Sequence, residues 1–189
     1  MSRNGKKPIP IPGGVTIQVQ GRQVKIEGAK GKLEDEFRPE VHIVQDSAPS
    51  QLRVIAPEGE MSRKSQKIFS QYQGLTRSLL FNMVQGVHEG FRKELDIHGT
   101  GYTAKLQGRE VVLSIGFCHP IILKIPEGIQ VEMANPRHIL VIGCCKQQVG
   151  QFAANIRAIR PPSVYLGKGI RYRGEMVRQK PTKNMLGGD

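Results

Sequence analysis

Between residues 15 and 26 apolar and polar positions alternate. Val15, Ile17 and Val19 fall on one side, and Val24 and Ile26 resume the pattern after Gln20-Gly21-Arg22. Successive side chains of a strand point to opposite faces, so a period of two predicts a hairpin of half-buried strands. Shorter runs at 41–43 and 52–54 predict two more strands, joined by a loop at Asp46-Ser47-Ala48-Pro49-Ser50. From about residue 63 to 87 the period becomes helical. Ile68, Tyr72, Leu75, Leu79 and Met83 recur at spacings of four, three, four and four, which predicts one apolar stripe with Ser62 as candidate N-cap. Arg63, Lys64, Lys67 and Arg77 occupy the other faces and read as a solvated surface.

Strands return after Gly90, at 95–97, 102–106, 111–115, 121–125, 129–133 and 139–142, each bounded by Gly, Pro or Asn. A second helix follows on the stripe Val149, Phe152, Ala153, Ile156 and Ile159, and Pro161-Pro162 must stop it. The two halves resemble each other. Ile11-Pro12-Gly13-Gly14-Val15-Thr16-Ile17 parallels Ile125-Pro126-Glu127-Gly128-Ile129-Gln130-Val131. Val24 to Gly28 then parallels Ile139 to Gly143 with one residue inserted, and Lys30 and Leu33 parallel Lys146 and Val149 with one more. The expected fold is α+β: two tandem, duplicated units, each an antiparallel sheet with a helix packed on one face. The expected organisation is a basic, Pro-rich arm at 1–14, a first repeat at 15–88, a second at 89–160 and a basic C-terminal segment at 161–189.

Trp is absent and aromatics make up 5% of the chain, so Val, Ile and Leu must build the cores. Charge sharpens the picture because it is segregated. Residues 1–12 hold three basic residues and no acid, and 157–183 hold eight against Glu175 alone, so the two ends supply ten of the twelve net positive charges. A near-neutral body with basic ends points to a polyanion, of which nucleic acid is the commonest. No stretch approaches the ~18 consecutive apolar residues of a membrane span. Cys118, Cys144 and Cys145 are an odd set with two adjacent, which suits a reduced, cytoplasmic setting.

The chemistry concentrates at 160–173. Arg160, Lys168, Arg171 and Arg173 stand there with no acid among them, Tyr165 and Tyr172 are interleaved, and Gly167 and Gly169 flank the lysine. Cations for phosphates, rings for bases and glycines for close backbone approach are what RNA binding asks of a loop. The tyrosines either stack on a base or pack the loop down. With Arg157 before the stretch and Arg178 and Lys180 after it, these form the candidate RNA-binding set. Nothing supports catalysis, a cofactor or a metal. Gly99-Thr100-Gly101 and Gly167-Lys168-Gly169 lack the spacing of a dinucleotide or phosphate loop, and Cys118-His119 and Cys144-Cys145 lack the gaps of a zinc site. One of the adjacent cysteines is expected in the core.

Several stretches resemble the bacterial type of large-subunit ribosomal protein six, the L-six family, over essentially the whole length. The opening Met1-Ser2-Arg3-Asn4-Gly5-Lys6-Lys7-Pro8-Ile9 is similar to the family's, with Asn4 where Ile is usual. Thr76 to Val87, Gly101 to Ala104, Leu113 to Pro120 (Cys118 where Ser is usual) and Lys146 to Arg157 resemble its helices and second-domain strands. Arg160-Pro161-Pro162 and Tyr165-Leu166-Gly167-Lys168-Gly169-Ile170-Arg171-Tyr172 resemble its ending, with Leu166 in place of a Lys. The resemblance implies a non-enzymatic constituent of the large ribosomal subunit in the cytoplasm. It would bind large-subunit rRNA mainly through its second domain and C-terminal segment, beside the sarcin–ricin loop. Neighbouring ribosomal proteins, and transiently translational GTPases, would be its protein partners. Composition and spacing alone leave a free-standing RNA chaperone or regulator as the alternative.

Overall fold

A computed structural model describes residues 5–46, 50–55 and 63–181, without the side chains of 63–65. Ser62 and Lys183 therefore lie outside the described residues, as does most of the loop at 46–50. The chain divides into two units, Met1–Gly90 with Cys144–Lys146, and Phe91–Gly143 with Gln147–Asp189.

The first unit begins with a two-residue strand, β1 (Ile9–Pro10). A meander of β2 (Thr16–Gln20), β3 (Gln23–Gly28) and β4 (Gly31–Glu36) follows. Next come the hairpin strands β5 (His42–Asp46) and β6 (Gln51–Ile55), then helix α1 (Arg63–His88). The meander is one antiparallel sheet, and β1-β6-β5 is another. Pro10 suits β1 because an edge strand leaves one side of the backbone without a ladder. Ile9, Val24, Ile26, Leu52, Leu80 and Val87 are fully buried at the centre of this unit. Gly90, at φ 82°, ends the helix in the left-handed conformation that a side chain would resist.

The buried face of α1 differs from the stripe predicted. Ile68 and Leu75 are 40% and 53% exposed, while Gln73, Thr76, Leu80, Met83, Val84 and Val87 are buried. Gln73 tolerates burial because its Nε2 donates to the Val54 carbonyl at 3.1 Å. Following the large apolar residues alone rotated the expected face, since two polar residues point inward.

The second unit repeats the plan. It runs β7 (Phe91–His98), a meander of β8 (Thr103–Gln107), β9 (Glu110–Ser114) and β10 (Ile121–Lys124), then the hairpin β11 (Ile129–Asn135) and β12 (His138–Gly143). Helix α2 (Lys146–Ile159) follows, and a last strand, β13 (Gly169–Tyr172). The stripe predicted for α2 holds: Val149, Phe152, Ala153 and Ile156 are buried and Ile159 packs beside them. The larger sheet has the order β11-β12-β7-β13, so β13 extends the counterpart of β1-β6-β5 by one strand. Neither Cys144 nor Cys145 is in a core; both are half-buried.

The duplication is real, but its predicted register is not. Strand order equates β2-β3-β4 with β8-β9-β10, and β5-β6 with β11-β12. The Ile-Pro-x-Gly likeness joined β2 to β11, and Lys30-Leu33 to Lys146-Val149, which sets a strand against a helix. What those segments share is a turn. Val15 N–H donates to Pro12 O and Ile129 N–H to Pro126 O, both at 3.4 Å. Gly14 and Gly128 supply the positive φ (87° and 81°) that the third position of a type II turn requires. The equivalent hairpins instead turn on Gln20-Gly21-Arg22 and Gln107-Gly108-Arg109, with φ 60° at both glycines.

Candidate nucleic-acid interface

The stretch after α2 is folded, not loose. Pro161 and Pro162 end the helix, and the chain then closes a small loop on itself. Ser163 N–H donates to Lys168 O and Gly167 N–H to Ser163 O, both at 2.9 Å. From Gly169 it enters the sheet edge, where Ile170 pairs with Ile97 and Arg171 with Asp96. Ile170 is 0% exposed, part of the second core. Lys180 N–H donates back to Val164 O at 2.8 Å, so the segment doubles over its own loop.

The two loop glycines have reasons inside the chain. A Cβ on Gly169 (φ 142°) would lie 2.6 Å from Pro161 O and 2.7 Å from Pro162 Cα, and backbone cannot yield there. A Cβ on Gly167 (φ 67°) would meet Gln179 Nε2 at 2.6 Å. Both residues are buried.

The tyrosines divide. Tyr165 is 55% exposed. Tyr172 packs against the core, with Arg157 5.9 Å and Lys93 5.7 Å from its ring centre. The cations divide too. Arg157 forks onto Glu175 through Nε at 3.1 Å and Nη2 at 2.5 Å, and Tyr172 N–H donates to the same carboxylate at 3.0 Å. The Arg157 bond, then the backbone N–H, holds the Glu175 carboxyl below the usual range and raises the guanidinium in turn. Arg173 donates to Glu94 at 2.7 Å, which lowers that carboxyl likewise. Arg160, Lys168, Arg171, Arg178 and Lys180 make no ion pair with a carboxylate among the described residues, although Arg171 lies near enough to Glu175 to help lower its carboxyl. Of these, Lys168, Arg178 and Lys180 are exposed.

Arg160 also reveals a residue that the sequence reading passed over. Its guanidinium lies 5.2 Å from the ring centre of Phe117, which is 42% exposed in the turn between β9 and β10. Nothing local to Gly116-Phe117-Cys118 signals this; only the fold brings the turn to the end of α2. The surface thus offers cations without acid partners and two accessible rings. Among the described residues, no three His, Cys, Asp or Glu side chains gather as they would to hold a metal ion. No helix among them is long and apolar enough to cross a membrane.

The chain is thus a duplicated α+β protein whose second unit carries a basic C-terminal segment, and comparisons with known proteins show its family. The sequence pattern of the family Ribosomal protein L6 matches residues 11–90 and 98–173. Large ribosomal subunit protein uL6 of Thermotoga petrophila is 48% identical over 184 residues, covering 97% of this chain and 99% of that protein. Its namesake in Thermus thermophilus is 49% identical over 183 residues, covering 97% of both chains. The one from Carboxydothermus hydrogenoformans is 45% identical over 183 residues, covering 97% of this chain and 96% of that protein. The chain belongs to the ribosomal protein L6 family.

Proposed function

We propose that this chain is a structural, non-enzymatic constituent of the large ribosomal subunit, binding large-subunit rRNA through the face that its second unit builds around residues 157–180. The observation that carries this reading is the division of the basic residues. Arg157 and Arg173 spend their charge on Glu175 and Glu94, locking the segment to the sheet. Arg160, Lys168, Arg171, Arg178 and Lys180 remain for phosphates, and Tyr165 and Phe117 for unstacked bases. Gly167, Gly169 and Tyr172 serve that face from beneath by holding the loop's shape. The names of the relatives support the subunit assignment, and the family resemblance supports a seat beside the sarcin–ricin loop, within reach of translational GTPases and neighbouring ribosomal proteins.

The test is salt dependence. Each lost phosphate contact should flatten the log–log slope of rRNA-fragment binding by about 0.7 to 0.9. Lys168→Ala and Arg171→Ala together should therefore lower it by two such steps, and an unchanged slope removes both residues from the interface. Co-sedimentation separates a subunit constituent from a free RNA chaperone: the former stays with washed large subunits in moderate salt, the latter does not.

A further inference from the structure

One end of the larger sheet holds a cleft of about 490 Å³, lined by Asp96, His98, Thr100, Asn135, Arg137, His138 and Lys168 among others. Three segments frame it: the end of β7 with its following turn, the β11–β12 turn, and the residue before β13. Backbone bonds fix the frame. Ile97 N–H donates to Arg137 O at 2.8 Å and Ala104 N–H to Pro136 O at 2.7 Å, tying the β11–β12 turn to two strands.

Of the polar groups at this cleft, only Asp96 and His138 are seen paired with each other among the described residues. His98 Nε2 is buried with no hydrogen-bond partner among the described residues. Such a group costs free energy unless something completes it. The one carboxylate of the lining, Asp96, already accepts from His138 Nδ1 at 2.8 Å. The rim carries two exposed cations, Arg137 and Lys168, and an exposed amide, Asn135. The volume falls in the range of small-molecule sites, about 300–1,000 Å³, which is more room than a bare phosphate uses. A nucleotide matches this inventory: an anion for the cations, and a base edge with both donors and acceptors for imidazole and amide.

We propose that this cleft takes a single unstacked nucleotide of RNA, its phosphate at Arg137 and Lys168 and its base edge against His98 and Asn135. The inference rests on the rRNA-binding reading above and adds a base-reading site to a surface of phosphate-binding cations and stacking rings.

The test uses the full chain and a protein-free transcript of large-subunit rRNA. His98→Ala and Asn135→Ala should each weaken binding about tenfold, the weight of one base-edge contact, with the salt slope unchanged. Arg137→Ala should instead lower the slope by about 0.7 to 0.9. Chemical probing of Watson–Crick edges should show one unpaired nucleotide protected by the wild-type protein and re-exposed by His98→Ala. Should His98→Ala unfold, His98→Phe, which keeps the ring's bulk and removes both nitrogens, and Asn135→Ala carry the test. Binding within twofold of wild type for the His98 and Asn135 variants, with the probing pattern unchanged, overturns the cleft assignment. If Lys168→Ala/Arg171→Ala still weakens binding in that case, the broader rRNA reading stands. A wild-type protein that shows no salt-dependent binding to the transcript overturns both.

Discussion

Glu175 is a carboxylate with three hydrogen bonds, two from Arg157 and one from the Tyr172 N–H. All three favour its charged form, and the carboxyl titrates below the ordinary value of about 4.3. The sign follows from linkage. A group whose folded pKa is depressed contributes stability above its unfolded pKa and loses it as pH falls through the folded value. Glu175→Gln keeps the shape and removes the charge, so near neutral pH it should destabilise the second unit by about 1–3 kcal/mol. The gap between wild type and Glu175→Gln in denaturant unfolding should close as pH falls below the ordinary carboxylate range. A gap that stays constant down to acid pH would mean that the fork contributes nothing through its charge. The Arg173–Glu94 pair has the same sign but lies open to solvent, where such pairs contribute little.

At the scale of elements, the sequence disclosed most strands and both helices, because burial on one face writes its period directly into the chain. It hid elements wherever that period fails. Strand β4 (GKLEDE) has four exposed positions and a nearly continuous polar reading, so only its ladder to β3 reveals it. Strand β13 was obscured by the glycines and prolines that its entry requires. The duplication is legible, but the Ile-Pro-x-Gly likeness reflects a shared type II turn; the equivalent units are marked by their Gln-Gly-Arg hairpins. For the candidate site, the basic residues stood out by charge, whereas the Arg157–Glu175 fork and the place of Phe117 depend on contacts across the fold. Helix α1 offers a clean trial of pattern against packing. Leu75→Ala should cost under about 0.5 kcal/mol, as an exposed substitution does, and Leu80→Ala about 2–5 kcal/mol. Equal effects on the unfolding midpoint would restore the stripe read from the sequence.

For the molecule as a whole, the decisive fact is that its charged terminus is also part of its core. Outside residues 1–12 and 157–183, 17 basic residues nearly balance 15 acidic ones, and the first unit pairs several of its charges on one sheet, as in Lys25–Glu34 and Lys32–Glu27. Most of the uncompensated charge sits on a segment that first contributes a strand and the buried Ile170, and only then leaves the sheet. Deleting everything after Ile159 therefore tests two things at once. That variant loses β13, Ile170 and Glu175 together, and its second unit should no longer unfold cooperatively, so its failure to bind RNA would say nothing about phosphate contacts. A chain ending at Glu175 separates the roles. It keeps the strand, the core residue and the Arg157 fork, and sheds Arg178, Lys180 and Lys183. Its thermal midpoint should stay within a few degrees of wild type, since about 1 kcal/mol corresponds to a shift of that size in a domain this large. Its rRNA-binding slope should fall by two to three contacts at about 0.7 to 0.9 each. A full slope in the Glu175-ended chain would confine the interface to residues before 176. Wild-type unfolding in the Ile159-ended chain would show that the terminus is an appendage after all.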